Sequence, residues 1–258
     1  MDVRGWVLNK NSNVPYSGAE KDSEYITRSE VRTSGRAVRP RDSSTLILVR
    51  TDGVEPRLLM GKRSSKHKFM PNKFVFPGGV VDRSDSRVKV PLGLQPEVLA
   101  RLRKGCSESR ARALAIAAIR ETFEETGLVI GTRERSVWGT HSPIWKKFLD
   151  WGVNPSVHQL QYIARAITPP YRNRRYDARF FMMFADSFIL QQSLSGVKSD
   201  ELSHICWVTI SDARKLNLPH ITRVVLDEVE TRIKKQTVFE DPGPFIHFRH
   251  GKLVRERH

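Results

Sequence analysis

The chain has 258 residues, and its 44 Lys and Arg outweigh its 28 Asp and Glu to give a formal net charge of +16. This length is enough for one large domain or two small ones, and no apolar run is long enough for a membrane-spanning helix. The first 35 residues lack the apolar core of a secretory signal, so we do not expect secretion. The two cysteines, Cys106 and Cys206, lie a hundred residues apart, which excludes a disulfide framework and a cysteine-based zinc site and fits a reducing compartment.

The excess of positive charge favours polyanionic partners, which include nucleic acid, an anionic membrane surface and small phosphorylated ligands. General solubility explains the same charge equally well, so composition alone leaves these alternatives open.

Three segments differ in composition along the chain. Residues 1–41 are polar, rich in turn residues and without an apolar period, so we predict a poorly ordered basic N-terminal tail. Residues 42–236 carry the apolar runs and are predicted to form one domain. Residues 237–258 are predicted to be a basic C-terminal extension with weak strand character.

Short apolar runs alternate with two long helical patterns inside the predicted domain. TLILVR, RLLMGKR and KFVFPGG are predicted strands, followed by a short helix near 96–104 and a long helix over 108–126 that Gly127 ends. A short helix at WKKFLDWG, three strands at QYIARAIT, RFFMMFAD and HICWVTI, and a helix at ITRVVLDEVETRIKK complete the pattern. This mixture predicts an α/β domain.

Three carboxylates stand together near the end of the long helix. Glu121, Glu124 and Glu125 occupy positions i, i+3 and i+4, so their side chains share one helix face. Carboxylates this close repel each other unless a cation neutralises them, and Mg²⁺ accepts such oxygen ligands while sharing its other positions with phosphates. Arg120 is placed to orient one of the carboxylates. The alternative is a solvated acidic face without a ligand.

A glycine pair precedes this helix at the end of the third predicted strand. Gly78 and Gly79 close the segment FPGG, where the missing side chains would allow backbone N–H groups to approach a phosphate closely. By itself FPGG is only a turn, and it gains meaning from the acidic helix downstream.

Together these segments resemble the Nudix hydrolases, whose box reads G-x5-E-x7-R-E-U-x-E-E-x-G-U, where U is a bulky aliphatic residue. The second half of the box matches Arg120, Glu121, Glu124, Glu125, Gly127 and Leu128. Thr122 replaces the first aliphatic residue, and Gly79 matches the opening glycine in context, with about 27 inserted residues before the helix. Counted back from the helix, the first box Glu falls on Arg112 and is missing there. Glu108 and Asp82 are candidates to replace it.

The resemblance implies a Nudix α/β/α sandwich with a mixed sheet and a partly helical insertion at 82–110. It also implies that Glu121, Glu124 and Glu125 hold Mg²⁺ or Mn²⁺ for the hydrolysis of a nucleoside diphosphate linked to another moiety. An inserted box, with the flanking segments, is similar to the branch that contains peroxisomal coenzyme A and acyl-coenzyme A diphosphatases and bacterial homologues. Because the chain lacks a peroxisomal Ser-Lys-Leu ending, we expect a bacterial cytoplasmic enzyme.

Further site residues are expected from context. Arg175 and Arg179 are predicted phosphate contacts, since arginine binds phosphate in a bidentate manner. The alternative is that Asp177 pairs with one of these arginines and fixes the strand. Glu201, just before the strand HICWVTI, competes with Glu124 for the role of general base, with a plain loop acid as the alternative.

Three functions remain open from the sequence. The first is a coenzyme A or acyl-coenzyme A diphosphatase with a small anionic nucleotide substrate. The second is an enzyme for RNA 5′ ends, ADP-ribose or dinucleoside polyphosphates, for which nucleic acid would be a partner. The third is a non-catalytic module that senses a nucleotide. A homodimer is compatible with each, and the insertion at 82–110 is expected to form a lid that selects the non-phosphate part of the substrate.

Overall fold

The computed structural model describes residues 31–32, 35–66, 69–133, 139–140, 142–185, 189, 201–235, 239 and 241–257. Most of the predicted N-terminal tail therefore lies outside the described residues. The strands are β1 Arg41–Arg50, β2 Arg57–Arg63, β3 Phe74–Val75, β4 Gly78–Val80, β5 Gly131–Thr132, β6 Asn154–Pro155, β7 Gln161–Ile167, β8 Tyr176–Phe184, β9 Leu202–Thr209, β10 Pro244–Arg249 and β11 Lys252–Arg257.

The helices are α1 Pro96–Arg103, α2 Glu108–Thr126, α3 Pro143–Leu149, α4 Ile210–Lys215 and α5 His220–Lys235, and a 3-10 turn spans Asp85–Arg87. Helix α2 has both ends defined by its sequence. The Ser107 side chain accepts the Arg110 backbone N–H at 3.4 Å, and Gly127 ends the helix in the left-handed conformation with φ of 70°. None of the helices in the described ranges has the length and apolar character needed to cross a bilayer.

Nine of the described strands form one mixed sheet. The order runs β11-β10-β7-β8-β1-β2-β3, with β4 paired to β1 and β9 paired to β2. Strand β1 lies parallel to β8 and antiparallel to β2 and β4. Strands β5 and β6 form a separate two-stranded pair that the sequence patterns did not predict.

Helices cover both faces of the sheet, because β1 is apolar on both sides. Leu46 and Leu48 belong to the core cluster on the side of α1, α2 and α3. Ile47 and Val49 belong to the second cluster, with buried residues of α4 and α5. Two-sided burial of a continuous apolar strand is what a central strand of an α/β sheet requires. The predicted α/β/α sandwich with a mixed sheet is confirmed.

The insertion is partly helical, and its helix is part of the core. Val98 and Leu102 of α1 are buried in the same cluster as Leu114 of α2. The Arg101 side chain donates to the backbone carbonyl of Phe239 at 2.9 Å. The insertion helix therefore packs beside α2 on the same face of the sheet, where it also contacts β7.

The C-terminal segment contributes two strands to the sheet. Strand β10 pairs in parallel with β7 through Phe245 and Ile246, and β11 returns antiparallel to β10. Phe245 and Ile246 are buried. These apolar residues explain why the segment joins the sheet despite its basic composition.

Candidate active site

The acidic face of α2 lies against β4, so the two halves of the predicted motif meet. The backbone N–H of Gly78 donates to Glu125 Oε2 at 2.9 Å. At Gly79 a Cβ atom would collide with the Glu121 carboxylate, and at Gly78 it would collide with the β1 backbone at Ser44. Both glycines are therefore required by the close approach of strand and helix. The three carboxylates of Glu121, Glu124 and Glu125 follow on one helix, as their spacing predicts.

Arg120 connects the carboxylates to the strand. Its Nη1 forms ion pairs with Glu121 Oε1 at 2.9 Å and with Glu124 Oε2 at 3.0 Å. Its Nη2 donates to the backbone carbonyl of Val80 at 2.8 Å. Because the Arg120 side chain is buried, it fixes the orientation of the Glu121 and Glu124 carboxylates and holds α2 against β4.

A third acidic partner of Arg120 is Asp85, a residue that the sequence patterns did not single out. Arg120 Nε donates to Asp85 Oδ1 at 2.8 Å and Nη2 to Oδ2 at 3.0 Å, a bidentate pair. Trp145 Nε1 and the backbone N–H of Asp82 donate to the same carboxylate at 3.2 and 2.8 Å. Asp85 stands six residues after Gly79, so counting forward from the glycine would have found it at the box Glu position.

Neither expected replacement for the box Glu pairs with Arg120 in the structure. Asp82 accepts the Ser84 backbone N–H at 2.7 Å, and Glu108 pairs with Arg112 at 2.6 Å at the exposed start of α2. The inserted residues therefore lie between Asp85 and α2, and the first part of the box is continuous with an Asp in place of Glu.

Thr122 occupies the aliphatic position of the box without leaving a polar group unsatisfied. It is fully buried, and its hydroxyl donates to the Ala118 carbonyl at 2.8 Å within the helix. The next turn repeats the bond, from the Thr126 hydroxyl to the Thr122 carbonyl at 2.5 Å. The substitution is thus compatible with the helix.

Burial raises the pKa of all three helix carboxyls. It raises the pKa of Glu121 to about 7, against the opposing charge of Arg120. Burial also raises the pKa of Glu124, and Arg120 again opposes the shift. The pKa of Glu125 is raised well above its usual value by burial and by the Glu121 charge, although the Gly78 N–H bond acts in the other direction. The charge of Glu201 contributes to each of these shifts in the raising direction.

This donor set fits a hard divalent cation by its chemistry. Burying several ionised carboxylates together is unfavourable in free energy, and a bound cation would offset that cost. Within the described ranges, however, no group of three or more His, Cys, Asp or Glu side chains is arranged so that it could hold a metal ion. In this arrangement Arg120 engages Glu121 and Glu124, and Glu125 accepts from Gly78.

A cavity of about 620 Å³ opens beside the carboxylates. Glu121 and Glu201 line one end of it, next to β4. Glu201 lies just before β9, and its backbone carbonyl accepts the Ser64 N–H at 2.9 Å. Cationic side chains from two loops and β2 also line the cavity: Arg63, Lys66, Lys73, Arg172 and Arg174. A cavity with carboxylates at one end and cations along its walls suits a metal-bound polyphosphate.

The two arginines predicted to contact phosphate lie elsewhere. Arg179 is buried and pairs with Asp42 Oδ1 at 2.9 Å and Asp177 Oδ2 at 3.0 Å. Alternation along β8 explains this, because Ala178 faces the cavity and Arg179 therefore faces α2. Arg175 donates to the backbone carbonyl of Thr168 at 2.9 Å. This geometry matches the alternative interpretation, in which Asp177 pairs with an arginine and fixes the strand. Neither Arg175 nor Arg179 is among the described residues that line the cavity.

Comparison with known proteins adds three observations. The chain is 29% identical over 163 residues to nudix hydrolase 7 of Caenorhabditis elegans, covering 59% of this chain and 46% of that protein. It is 35% identical over 94 residues to the acyl-coenzyme A diphosphatase NUDT19 of Xenopus laevis, covering 28% of this chain and 25% of that protein. The chain thus spans less than half the length of either relative. No family model matches it.

A solved structure shares the fold. The crystal structure of a Nudix hydrolase from Alicyclobacillus acidocaldarius superposes with a TM-score of 0.56 at 23% identity, covering 78% of this chain and 97% of that one. The carboxylate helix, the Gly78–Val80 strand and Asp85 supply the box residues within this fold. In its fold, its curated relatives and the arrangement of its site, the chain is similar to the Nudix hydrolases.

Proposed function

We propose that the chain hydrolyses a phosphoanhydride bond in a nucleoside diphosphate linked to another moiety, with Mg²⁺ or Mn²⁺ as cofactor. The observation that carries this proposal is the junction of α2 with β4, where Glu121 and Glu125 meet the glycine backbone at the end of a cation-lined cavity. Phosphoryl transfer depends mainly on positioning and charge neutralisation, and the residues at this junction are suited to both.

Each residue has a distinct role in the proposed reaction. Glu121, Glu124 and Glu125 would hold the cation, which when bound neutralises phosphate oxygens and lowers the pKa of water. Arg120, held by Asp85, positions Glu121 and Glu124. Water attacks phosphorus, a carboxylate accepts the water proton, and the bond between phosphorus and the bridging oxygen breaks with the leaving phosphate taking the electron pair.

Two carboxylates compete for the role of general base. Glu201 lines the cavity, is exposed and immediately precedes β9. Glu124 is partly exposed and is bound by Arg120, which favours a ligand or positioning role over that of a base. We therefore favour Glu201, and expect Glu201→Gln to lower kcat more than it changes KM.

For the substrate we propose coenzyme A or an acyl-coenzyme A. The partial similarity to an acyl-coenzyme A diphosphatase supports this class. So does the set of cavity cations, of which the exposed Arg174 and Lys66 are suited to phosphate groups beyond the scissile diphosphate.

A substrate panel tests the proposal. Full-length protein would be assayed with Mg²⁺ and with Mn²⁺ against coenzyme A, acyl-coenzyme A, ADP-ribose, NADH, a dinucleoside polyphosphate and triphosphorylated RNA. We expect metal-dependent hydrolysis of the diphosphate in coenzyme A or its thioesters, which releases adenosine 3′,5′-bisphosphate and phosphopantetheine or its acylated form. Preferred cleavage of RNA or ADP-ribose would shift the assignment to the second class, and binding without turnover by any of them would favour the sensing module.

A further inference from the structure

We propose that the C-terminal hairpin β10–β11 forms the wall of the cavity that determines substrate specificity. In this proposal Phe248 and Leu253 bind an aliphatic arm of the substrate. This inference rests on the proposed function, because it concerns the part of the same substrate that lies far from the diphosphate. It assigns to the hairpin the role that the sequence suggested for the insertion.

The floor of the cavity is one row of residues across five strands. Ile246 on β10 pairs with Ala166 on β7, which pairs with Ala178 on β8. Ala178 pairs with Ser43 on β1, and Ser43 pairs with Val80 on β4. All five residues line the cavity. At about 4.8 Å per strand, the row extends on the order of 19 Å from the carboxylate end to the hairpin.

Small side chains leave this row open in its middle. Ser43, Ala178 and Ala166 lie between the two ends, so the floor is a trough that an extended chain can occupy. Its length is roughly the reach of five or six residues of an extended polypeptide. A group bound at the hairpin is therefore separated from the scissile bond by the length of a long flexible arm.

The far end of the trough is apolar. Phe248 and Leu253 are cross-strand partners in the hairpin and both line the cavity. Tyr171 packs edge-on against Phe248, with ring centroids 5.7 Å apart, and also lines the cavity. Leu253 is 40% exposed and lies between Lys252 and Val254 on β11. An exposed leucine at a cavity wall gains by covering an aliphatic ligand.

The insertion does not compete for this role. None of its residues from 82 to 110, all of which the structure describes, lines the cavity. Its helix α1 instead has Val98 and Leu102 in the core on the opposite face of the sheet from Ala178.

Binding and turnover of octanoyl-coenzyme A test the proposal, with Leu253→Ala as the variant and Leu92→Ala as the matched control. Leu92 is 56% exposed on the insertion and lies outside the cavity lining. We expect Leu253→Ala to weaken octanoyl-coenzyme A binding to the metal-free protein roughly five- to tenfold, because the shorter side chain covers less of the acyl chain. It should lower the preference in kcat/KM for octanoyl-coenzyme A over ADP-ribose by a similar factor. Leu253→Met should restore binding, and Leu92→Ala should match the wild type.

The outcomes separate this inference from the proposed function. If octanoyl-coenzyme A binds in a Leu253-dependent manner but is not hydrolysed, the hairpin proposal stands and the catalytic one fails. If the wild type hydrolyses it and Leu253→Ala keeps the full preference and affinity, the hairpin proposal is overturned. Absence of binding to the wild type also overturns it.

Discussion

Arg120 and Asp85 form a bidentate, buried ion pair between helix α2 and the turn that follows β4. The same guanidinium contacts Glu121 and Glu124, so one residue links the strand, the turn and the acidic face of the helix. Trp145 of α3 also donates to Oδ1 of the Asp85 carboxylate. The position of two carboxylates in the site therefore depends on an aspartate that lies outside the helix.

Replacing Asp85 should damage both stability and activity. Asp85→Ala leaves the buried Arg120 without its main counter-charge, so we expect a loss of about 3–5 kcal/mol in the free energy of unfolding. Urea unfolding of the metal-free protein would measure it. Asp82→Ala is the control, since the Asp82 side chain accepts hydrogen bonds within its own turn and is not an ion-pair partner of Arg120, so the change should cost about 1 kcal/mol or less. Equal losses for the two variants would refute a special role for the pair.

Glu125→Gln should lower activity without lowering stability. An amide keeps an acceptor for the Gly78 N–H but removes a buried carboxyl whose pKa is raised. We expect the metal-free variant to be at least as stable as the wild type at neutral pH. We also expect kcat to fall at least about 100-fold, or about 2.7 kcal/mol of transition-state stabilisation. Glu108→Gln, at the exposed start of the same helix, is the control for a charge change alone.

A wild-type rate for Glu125→Gln at saturating Mg²⁺ would mean that the three carboxylates form only an acidic helix face. Circular dichroism of the variant would establish that any loss of rate occurs in a folded protein.

The metal-free protein should lose stability as pH rises. The pKa of Glu121 is raised from a usual value of 4.5 to about 7, so the folded state binds the proton more tightly than the unfolded state. The contribution of protonated Glu121 to the free energy of unfolding is fully present below about pH 4.5. It is lost as pH rises through about 7, which amounts to roughly 3 kcal/mol. Urea unfolding in EDTA across this range would measure it. Glu121→Gln should flatten the profile, and an unchanged slope in that variant would contradict the assignment to Glu121.

The insertion should matter for folding more than for substrate binding. Leu102→Ala in α1 removes a buried side chain from the core cluster, and we expect it to cost about 2–4 kcal/mol of stability. Since the insertion does not line the cavity, KM should stay within about twofold of the wild type. A large rise in KM with little loss of stability would restore the lid hypothesis.

Several features could be predicted because they depend on local sequence. The spacing of Glu121, Glu124 and Glu125 specifies a shared helix face wherever the helix packs, and Gly127 marks its end by its own backbone conformation. The continuous apolar run of β1 likewise predicts a strand covered on both faces, which requires a layer of helices on each side.

Other features depended on contacts between distant segments. Asp85 could not be recognised by counting back from Arg120, because the inserted residues separate the two in sequence while the fold brings them together. The register of β8 decided that Arg179 pairs with Asp42 on the face away from the cavity. A one-residue shift would reverse that orientation, and the continuous apolar run at the end of β8 shows no alternation that would reveal it.

The sequence by itself determined the acidic helix and the two-sided central strand, since each follows from backbone periodicity within a short segment. Only the tertiary structure decided what surrounds the cavity. The parallel pairing of β10 with β7 places the C-terminal hairpin at the cavity, while the apolar residues of α1 place the insertion in the core. Pairings of this kind form between segments far apart in the chain, and their energies depend on buried neighbours that no local pattern specifies.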